Sequence, residues 1–469
     1  MADRGPLYAV AMSLQASRAG GAGFRRADIR EFTFGTPSLA PDGSVELPYE
    51  LGGEHRFCER WSIPLAGGEL DDAARRELAP LLRLLHLVAG VSYYKAAVPE
   101  TVVVTGPAPG PAQARLLDAL YSEGLGEFAF CNDLEALPRP AFPVGAAAPA
   151  TGRAEPSGLL VPVGGGKDSV VAIEVALRAG ADVTLFSVGN AKPIERTAAV
   201  AGLPRLIAWR RLDPLIVELN AAGALNGHVP VTAIVSCAAL LTAAANGIAD
   251  VAMANERSAS FGNLTHYGVD INHQFSKGLA CERLLRAALA ETRPDTGYFS
   301  LLRPASELGI ARAFAALPAY HRAFTSCNAV FRLDPELRAT SWCGHCPKCR
   351  FVCLALAPFL GRADLTAIFD GRDLLDDPAQ YDGFAALAAV GTHKPFECVG
   401  EEAESVAAFR LAAEQPEWRD AHVVRRFAAE ELPGVAPGFG LPADVLRLAP
   451  DHCVPSSFGP ALDAVLGAG

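Results

Sequence analysis

The sequence has 469 residues, enough for two or three domains that each bury a hydrophobic core. Half of its residues are hydrophobic and a fifth are charged, which excludes an intrinsically disordered chain. The net charge of −11 argues against a general nucleic-acid binder, because contacts to phosphates need a basic protein surface, although it leaves room for a local basic patch.

Two apolar stretches and the cysteines bear on the compartment of the protein. Residues 7–14 form a short apolar run that only weakly imitates a secretory signal, and we expect a first strand there. Residues 229–245 carry no charge, but the stretch is short and contains hydroxyl side chains, so it predicts a buried core helix and no membrane span. The eleven cysteines are clustered rather than spread as a disulfide framework, which favours the reducing cytoplasm.

Residues 1–135 are predicted to form an N-terminal α+β region. A Pro-Asp-Gly turn at residues 41–43 predicts a hairpin, and Pro80 should kink or split the helix in which it lies. Residues 136–157 are rich in Pro, Ala and Gly and are interpreted as a linker between domains. The predicted strands of the first region cover residues 32–34, 45–49 and 101–105, and its predicted helices cover residues 71–88 and 112–121.

Residues 158–355 alternate between strand and helix patterns, which predicts βαβ units and an α/β fold with a parallel sheet. Ligands in such folds bind beyond the carboxyl ends of the strands. Glycine-rich or polar residues follow three predicted strands, so we expect one nucleotide site there; they are residues 164–168, 188–190 and 255–258. Residues 356–469 are predicted to form a mainly helical C-terminal region. The predicted strands cover residues 159–163, 182–188, 206–209 and 250–255, and the helices cover residues 170–177, 195–201 and 229–245.

The first of these strands runs into three glycines and then a helix. A glycine loop before a helix N-terminus predicts a phosphate cradle, because unpaired N–H groups and the helix dipole both favour an anion. Neither the Walker spacing nor the Rossmann fingerprint fits this loop. The alternative interpretation is a tight structural turn. The loop residues are Gly164, Gly165, Gly166, Lys167, Asp168 and Ser169.

These six residues resemble the Ser-Gly-Gly-x-Asp-Ser loop of the ATP-pyrophosphatase (PP-loop) family. The sequence departs from that pattern at Gly164, which removes one hydroxyl donor to phosphate. The resemblance implies an adenine nucleotide α-hydrolase-like domain that cleaves ATP to AMP and diphosphate. It further implies that the glycines, Lys167 and Ser169 bind phosphates and that Asp168 binds Mg²⁺.

A cysteine cluster follows, with three thiols at two-residue intervals and a fourth upstream; they are Cys327, Cys343, Cys346 and Cys349. Four thiolates are the donor set that tetrahedral zinc requires, so a structural zinc site is predicted. Cys353 is close enough in sequence to compete as a ligand. The set also resembles the zinc site of 7-cyano-7-deazaguanine synthase, another PP-loop enzyme. The alternative interpretation is a group of reduced thiols without metal.

A dense polar segment lies between the sheet and the cysteines, at residues 255–260 and 269–277 and at Glu282. So many functional groups in one segment indicate a site loop, although a solvated loop is the alternative. Together with the glycine loop, the cysteines and residues 53–57, this segment resembles the UDP-N-acetylmuramoyl-L-alanyl-L-glutamate epimerase (MurL) family. That resemblance implies a cytoplasmic enzyme of peptidoglycan precursor synthesis that consumes ATP. Its substrate would be a UDP-MurNAc-dipeptide whose terminal L-Glu becomes D-Glu.

Such an inversion needs a base that reaches Cα of an activated glutamate and titrates near neutrality. His273 and Lys277 have suitable side chains in the polar segment, and Glu256 sits at a strand end. The ordinary pKa of histidine is the nearest to neutral pH, whereas the pKa of lysine would have to be lowered. Glu256 could instead bind Mg²⁺, and Lys277 a phosphate or the substrate carboxylate.

Two other functions stay open at this point. One is an amide- or nitrile-forming PP-loop enzyme resembling 7-cyano-7-deazaguanine synthase and using free ammonia, since Ala2 excludes an N-terminal cysteine glutaminase. The other is a nucleotide-sensing protein without catalysis, which would keep the glycines but would need neither the residues after them nor the polar segment.

Overall fold

The computed structural model describes residues 24–146, 156–262, 264–266, 268–331, 336, 338–390, 395–397 and 399–467. The strand expected at residues 7–14 lies outside the described residues. The strands are β1 (Glu31–Phe34), β2 (Ser38–Leu39), β3 (Ser44–Leu51), β4 (His55–Ser62), β5 (Thr101–Val104), β6 (Leu159–Pro162), β7 (Val183–Val188), β8 (Arg205–Arg211), β9 (Asp250–Met253), β10 (Leu264–His266), β11 (Val269–Ile271) and β12 (Gly297–Ser300).

Helices pack around these strands and make up the C-terminal part of the chain. They are α1 (Asp72–Ala89), α2 (Val91–Tyr94), α3 (Pro111–Tyr121), α4 (Gly126–Cys131), α5 (Lys167–Arg178), α6 (Lys192–Ala201), α7 (Leu215–Ala221), α8 (Val231–Ala245), α9 (Leu279–Ala290), α10 (Glu307–Ala315), α11 (Pro347–Leu356), α12 (Arg362–Ile368), α13 (Tyr381–Ala385), α14 (Glu402–Glu414), α15 (His422–Glu430), α16 (Pro442–Val445) and α17 (Gly459–Leu466). The predicted α/β class and the helical C-terminal part are confirmed.

One ten-stranded sheet contains both the N-terminal strands and the alternating strands, in the order β12-β9-β6-β7-β8-β4-β3-β1-β5, with β2 paired to β3. The five strands from β12 to β8 are mutually parallel, as the alternation predicts. From β6 the chain steps outward through β7 and β8, and then returns to the other side of β6 with β9. The order therefore reverses between β6 and β9, which is where open α/β sheets form their ligand crevice.

Successive residues of β6 point into two different hydrophobic cores, because side chains alternate across a strand. Leu159 and Val161 belong to the core that α5 shares with the C-terminal helices. Leu160 belongs to the core formed with α8 and the N-terminal region. A strand that is buried on both faces has to be apolar throughout, which explains the run that marks β6 in the sequence.

The N-terminal strands join the parallel sheet where β4 pairs with β8, with Trp61 opposite Arg210. This junction buries an ion pair: Arg210 donates two hydrogen bonds to the carboxylate of Glu59, at 2.9 and 3.0 Å. Trp61 donates from Nε1 to the same carboxylate at 2.7 Å. Glu59 is completely buried, so these bonds compensate the loss of its hydration.

Two helix predictions have clear outcomes. The uncharged stretch forms α8, which is buried along most of its length against α1 and the sheet, as predicted for a core helix. None of the helices in the described part of the chain has both the length and the hydropathy that crossing a bilayer requires.

Helix α1 begins after Asp71, whose carboxylate accepts from the Ala74 N–H at 2.7 Å, and it continues through Pro80. The expected split at Pro80 is therefore wrong.

Candidate active site

A cavity of about 540 Å³ opens at the carboxyl ends of β6, β7 and β9. The three strand ends that the sequence marks with glycine or polar residues thus meet in one place. Its lining residues are Pro162, Val163, Gly164, Gly166, Asp168, Ser169, Phe186, Ser187, Val188, Ile194, Val231, Thr232, Val235, Met253, Ala254, Asn255, Glu256, Lys277, Thr325, Ser326, Asn328, Phe331 and Lys348.

The glycine loop is tightly enclosed at two of its three positions. Gly165 has φ +79°, and a Cβ there would lie 2.7 Å from the backbone nitrogen of Ile194. A Cβ on Gly166 would lie 2.8 Å from Oγ of Ser326. Gly164, by contrast, has open space around it, so the serine of the PP-loop pattern would fit at this position. The two enclosed glycines let the loop pass close to its neighbours, whereas Gly164 faces the cavity.

Helix α5 begins directly after this loop, with Gly166 in an extended conformation as its N-cap. No side chain caps the helix, although Oγ of Ser169 donates to the Gly166 carbonyl at 2.9 Å. The first N–H groups of a helix have no partner within the helix, and the helix dipole is positive at this end. The N-terminus of α5 therefore offers the cavity a place for an anion.

Lys167 does not line the cavity, although the loop pattern implies a phosphate contact for it. Its side chain is only 2% exposed and forms ion pairs with the carboxylates of Asp168 and Glu307. Burial by itself lowers the pKa of Lys167, but the two carboxylates outweigh that effect and raise it. The positive charge of Lys167 is thus neutralised inside the protein.

Three carboxylates meet beside the loop, with oxygens of Asp168, Glu256 and Glu307 within 4.8 Å of one another. Burial raises the pKa of Glu307 to about 7, helped by the charge of Asp168 and partly offset by Lys167. Burial also acts to raise the pKa of Asp168, but Lys167 and then Lys348 outweigh it and lower that pKa. Oε1 of Glu256 is buried and has no hydrogen-bond partner among the described residues.

This donor set fits a divalent cation. Mg²⁺ prefers carboxylate oxygens, and a buried carboxylate oxygen without a hydrogen bond is costly unless a ligand binds it. Asp168 is a quarter exposed, at 24%, and Glu256 also lines the cavity, so both can reach an ion that carries water and phosphate ligands. Glu307 forms an ion pair with Lys167, so the lysine offsets part of the negative charge of the three carboxylates.

The loops that carry Glu256 and Lys277 are tied together by a buried arginine. Arg303 is 1% exposed and forms an ion pair of 3.0 Å with Glu282. The same guanidinium donates to the backbone carbonyls of Glu256 and Lys277. The sequence suggests Glu282 as a member of the site loop. In the structure it pairs with Arg303 and thereby stabilises the backbone of the two residues that line the cavity.

His273 lies in a separate cluster with Glu127 and His228. Its Nδ1 hydrogen-bonds Oε2 of Glu127, and Nδ1 of His228 lies 3.5 Å from the same oxygen. The two imidazole rings are 4.5 Å apart between centroids. Burial lowers the pKa of His228 to about 4, helped by His273 and opposed by Glu127. Of the three residues proposed as bases, Glu256 and Lys277 line the cavity, whereas His273 does not.

The four predicted cysteines converge, with their sulfur atoms within 4.8 Å of one another. The Cys346 and Cys343 sulfurs lie 3.5 and 3.7 Å from that of Cys349. Tetrahedral zinc at its usual bond length holds thiolates about 3.8 Å apart, so these residues fit the ion. Cys353 does not belong to the group and is buried in the core around α11. We call the loop of residues 343–349 the cysteine knuckle.

Sequence reasoning missed four side chains of these clusters: Glu127, His228, Glu307 and Lys348. Lys348 had a usable signal, because it lies between two cysteines already predicted to converge. Glu307 opens a helix far from the loop in sequence, and no motif surrounds it. Glu127 and His228 lie in a helix and a loop whose sequences carry no pattern that indicates a functional site.

Comparison with known proteins gives matches along most of the chain. Residues 23–301 match the family model described as MurL N-terminal domain, and residues 323–437 match MurL C-terminal domain. The chain is 47% identical over 452 residues to the UDP-N-acetyl-alpha-D-muramoyl-L-alanyl-L-glutamate epimerase of Micromonospora sp., covering 93% of this chain and 98% of that protein.

Two further relatives carry the same description. The protein of Salinispora tropica is 49% identical over 413 residues, covering 85% of this chain and 88% of the relative. The protein of Xanthomonas oryzae pv. oryzae is 41% identical over 438 residues, covering 92% of this chain and 96% of the relative. No solved structure matches the chain.

Proposed function

The chain belongs to the UDP-N-acetyl-α-D-muramoyl-L-alanyl-L-glutamate epimerase (MurL) family, and we propose that it inverts the terminal L-Glu of UDP-MurNAc-L-Ala-L-Glu with cleavage of ATP to AMP and diphosphate. Its relatives are named for the epimerisation. The observation that supports the ATP-dependent mechanism is the cavity in which the glycine loop meets Glu256, whose buried Oε1 has no hydrogen-bond partner among the described residues. Phosphate groups and Mg²⁺ are the ligands that such a combination suits.

The chemistry explains why an epimerase would consume ATP. A Cα–H beside a carboxylate is a very weak acid, because the carbanion would stand next to a negative charge. If the carboxylate oxygen attacks the α-phosphorus of ATP, diphosphate leaves and an acyl-adenylate forms, whose carbonyl group no longer carries the negative charge beside Cα. The activated carbonyl then accepts the electron pair released at Cα, so a modest base can remove the proton. Reprotonation from the opposite face gives D-Glu, and water cleaves the adenylate to the carboxylate and AMP.

Each part of the cavity has a proposed task in this sequence. The glycine loop, the start of α5 and Ser169 bind the phosphates of the nucleotide. Asp168 and Glu256 would hold Mg²⁺, which when bound supplies charge neutralisation for the departing diphosphate. Lys277 lines the same cavity from the polar segment and can orient the substrate carboxylate.

His273 is our first candidate for the base. The Glu127 carboxylate accepts hydrogen bonds, so Nδ1 of His273 carries the donated proton and Nε2 keeps the lone pair that a base needs. The carboxylate also stabilises the imidazolium that forms when Cα loses its proton. Because His273 lies outside the cavity lining, it would act on the part of the substrate that extends beyond the nucleotide.

The overall reaction is tested by supplying ATP and UDP-MurNAc-L-Ala-L-Glu in D₂O. We expect AMP and diphosphate as the nucleotide products and deuterium at Cα of the glutamate. ADP as the sole nucleotide product would refute the proposed cleavage. AMP formation without inversion, together with ammonia-dependent amide or nitrile formation on another acid, would favour the 7-cyano-7-deazaguanine synthase-like alternative.

Replacing His273 with alanine should separate the two halves of the reaction. The His273→Ala variant should still exchange diphosphate into ATP when substrate is present, because adenylation does not use the base. Deuterium incorporation at Cα should fall by about 10²- to 10⁴-fold, the usual contribution of a general base. His422, at the start of α15 and outside the cavity lining, provides a control histidine. Normal deuterium incorporation by His273→Ala would exclude this residue as the base.

A further inference from the structure

Lys348 is brought to the nucleotide cavity by the cysteine knuckle. It stands between Cys346 and Cys349 in the first turn of α11, and its side chain lines the cavity. Cys346 is the N-cap of this helix, and its sulfur accepts from the Cys349 N–H at 3.4 Å. The position of Lys348 is therefore set by the geometry of the thiols on either side of it.

A triphosphate bound in the cavity would require cationic side chains to offset its charge, and Lys167 is not available for this purpose. Lys167 is buried in its ion pairs with two carboxylates, and the cavity wall adds the further negative charge of Glu256. A nucleoside triphosphate placed there would meet carboxylates on one side. The lysines that line the cavity in the described part of the chain are Lys277 and Lys348. Lys348 lines the same cavity as Gly166, Asp168 and Ser169, so its side chain faces the space beside the glycine loop.

The segment before Cys327 fixes the cysteine knuckle against the glycine loop. The Thr325 N–H donates to the Gly165 carbonyl at 2.9 Å. Arg196 of α6 donates to Oγ1 of Thr325 at 3.1 Å, and Ser326 lies against Gly166. Residues 325 and 326, which line the cavity, thus connect the glycine loop to Cys327 of the four-thiol group.

We propose that Lys348 binds the β- and γ-phosphates of the nucleotide, in the place that the loop pattern gives to Lys167. The inference rests on the proposed function, because it takes ATP to be the ligand of the cavity. We assign Lys348 to the diphosphate end because it lines the cavity together with the glycine loop and the start of α5, where the phosphates are proposed to bind. The four thiols then have a second role beyond folding, since they hold this lysine at the phosphates.

The test compares the binding of two nucleotides by calorimetry, in Mg²⁺ and without peptide substrate. A non-hydrolysable ATP analogue has all three phosphates, whereas AMP lacks the two that Lys348 would bind. Lys348→Met should weaken binding of the analogue by about 10- to 100-fold, the usual loss for a charge-assisted hydrogen bond. AMP affinity should change by less than about threefold, and Lys348→Arg should restore most of the loss.

Arg350 supplies the matched control. It follows Cys349 on the same helix, donates to Gln380 at 2.8 Å and does not line the cavity. Arg350→Met should leave the affinity for the analogue close to that of the wild-type protein. Equal losses in Lys348→Met and Arg350→Met would show a general disturbance of the knuckle and overturn the proposal. Unchanged analogue binding by Lys348→Met would also overturn it. If the wild-type protein itself does not bind the analogue, the proposed function fails first.

Discussion

Asp168→Asn should lower epimerisation by about 10³-fold or more, because it removes a carboxylate that would hold Mg²⁺ at the departing diphosphate. The variant should nevertheless fold. Removing the charge of Asp168 relieves the repulsion that contributes to the raised pKa of Glu307, so Glu307 stays ionised as the partner of buried Lys167. We expect AMP formation and deuterium incorporation to be lost together, with a melting temperature close to that of the wild-type protein.

Asp182 is a suitable control for this substitution. It is exposed and directly precedes β7, at the end of the sheet opposite to the cavity. Asp182→Asn should retain activity. If Asp168→Asn keeps activity within about tenfold of the wild-type protein, Asp168 does not contribute a metal ligand that catalysis needs. A large drop in melting temperature for Asp168→Asn would instead assign it a structural task.

Cys346→Ala should remove zinc from the protein and reduce its thermal stability or solubility. We expect one zinc per chain in protein purified without chelator, since the four sulfur atoms already lie within 4.8 Å of one another. Metal affinity at such sites contributes directly to folding, so loss of the ion should cost several kcal/mol. Elemental analysis gives the zinc content, and thermal unfolding gives the stability.

Cys353→Ala distinguishes a lost ligand from a lost core side chain. Cys353 is buried next to the knuckle but does not belong to the four-sulfur group. Its replacement should cost only about 1–2 kcal/mol of packing and should leave the zinc in place. Zinc-free wild-type protein would contradict the predicted site, and zinc loss in Cys353→Ala would mean that the ligand set is wrong.

The sequence allowed the glycine loop and the parallel strands to be predicted because both depend on local pattern. An apolar run buried on two faces and consecutive glycines before a helix are visible in a single short window. The orientation of Lys167 could not be predicted in this way. It depends on Glu307, which reaches the loop only through the packing of α10 against α5.

The His273 cluster shows the same limit. The polar segment pointed to His273, but its partners Glu127 and His228 lie in segments with no polar pattern of their own. Their convergence depends on how α4 and the start of α8 pack beside the polar segment. The union of the N-terminal strands with the parallel sheet was also unpredictable, because antiparallel pairing of β4 with β8 leaves no signature between the two stretches.

That union has a consequence for the order in which the protein folds. Strands β1 to β5 leave the ribosome well before β8 exists, so the edge of β4 has no partner during that time. Glu59 meanwhile lacks Arg210, and a carboxylate buried without its cation is costly. The N-terminal layer therefore completes its packing only after β8 has been synthesised. The N-terminal strands thus depend on β8, far along the chain from β4, for their native structure, and a nascent chain that stops before β8 exposes a strand edge open to aggregation.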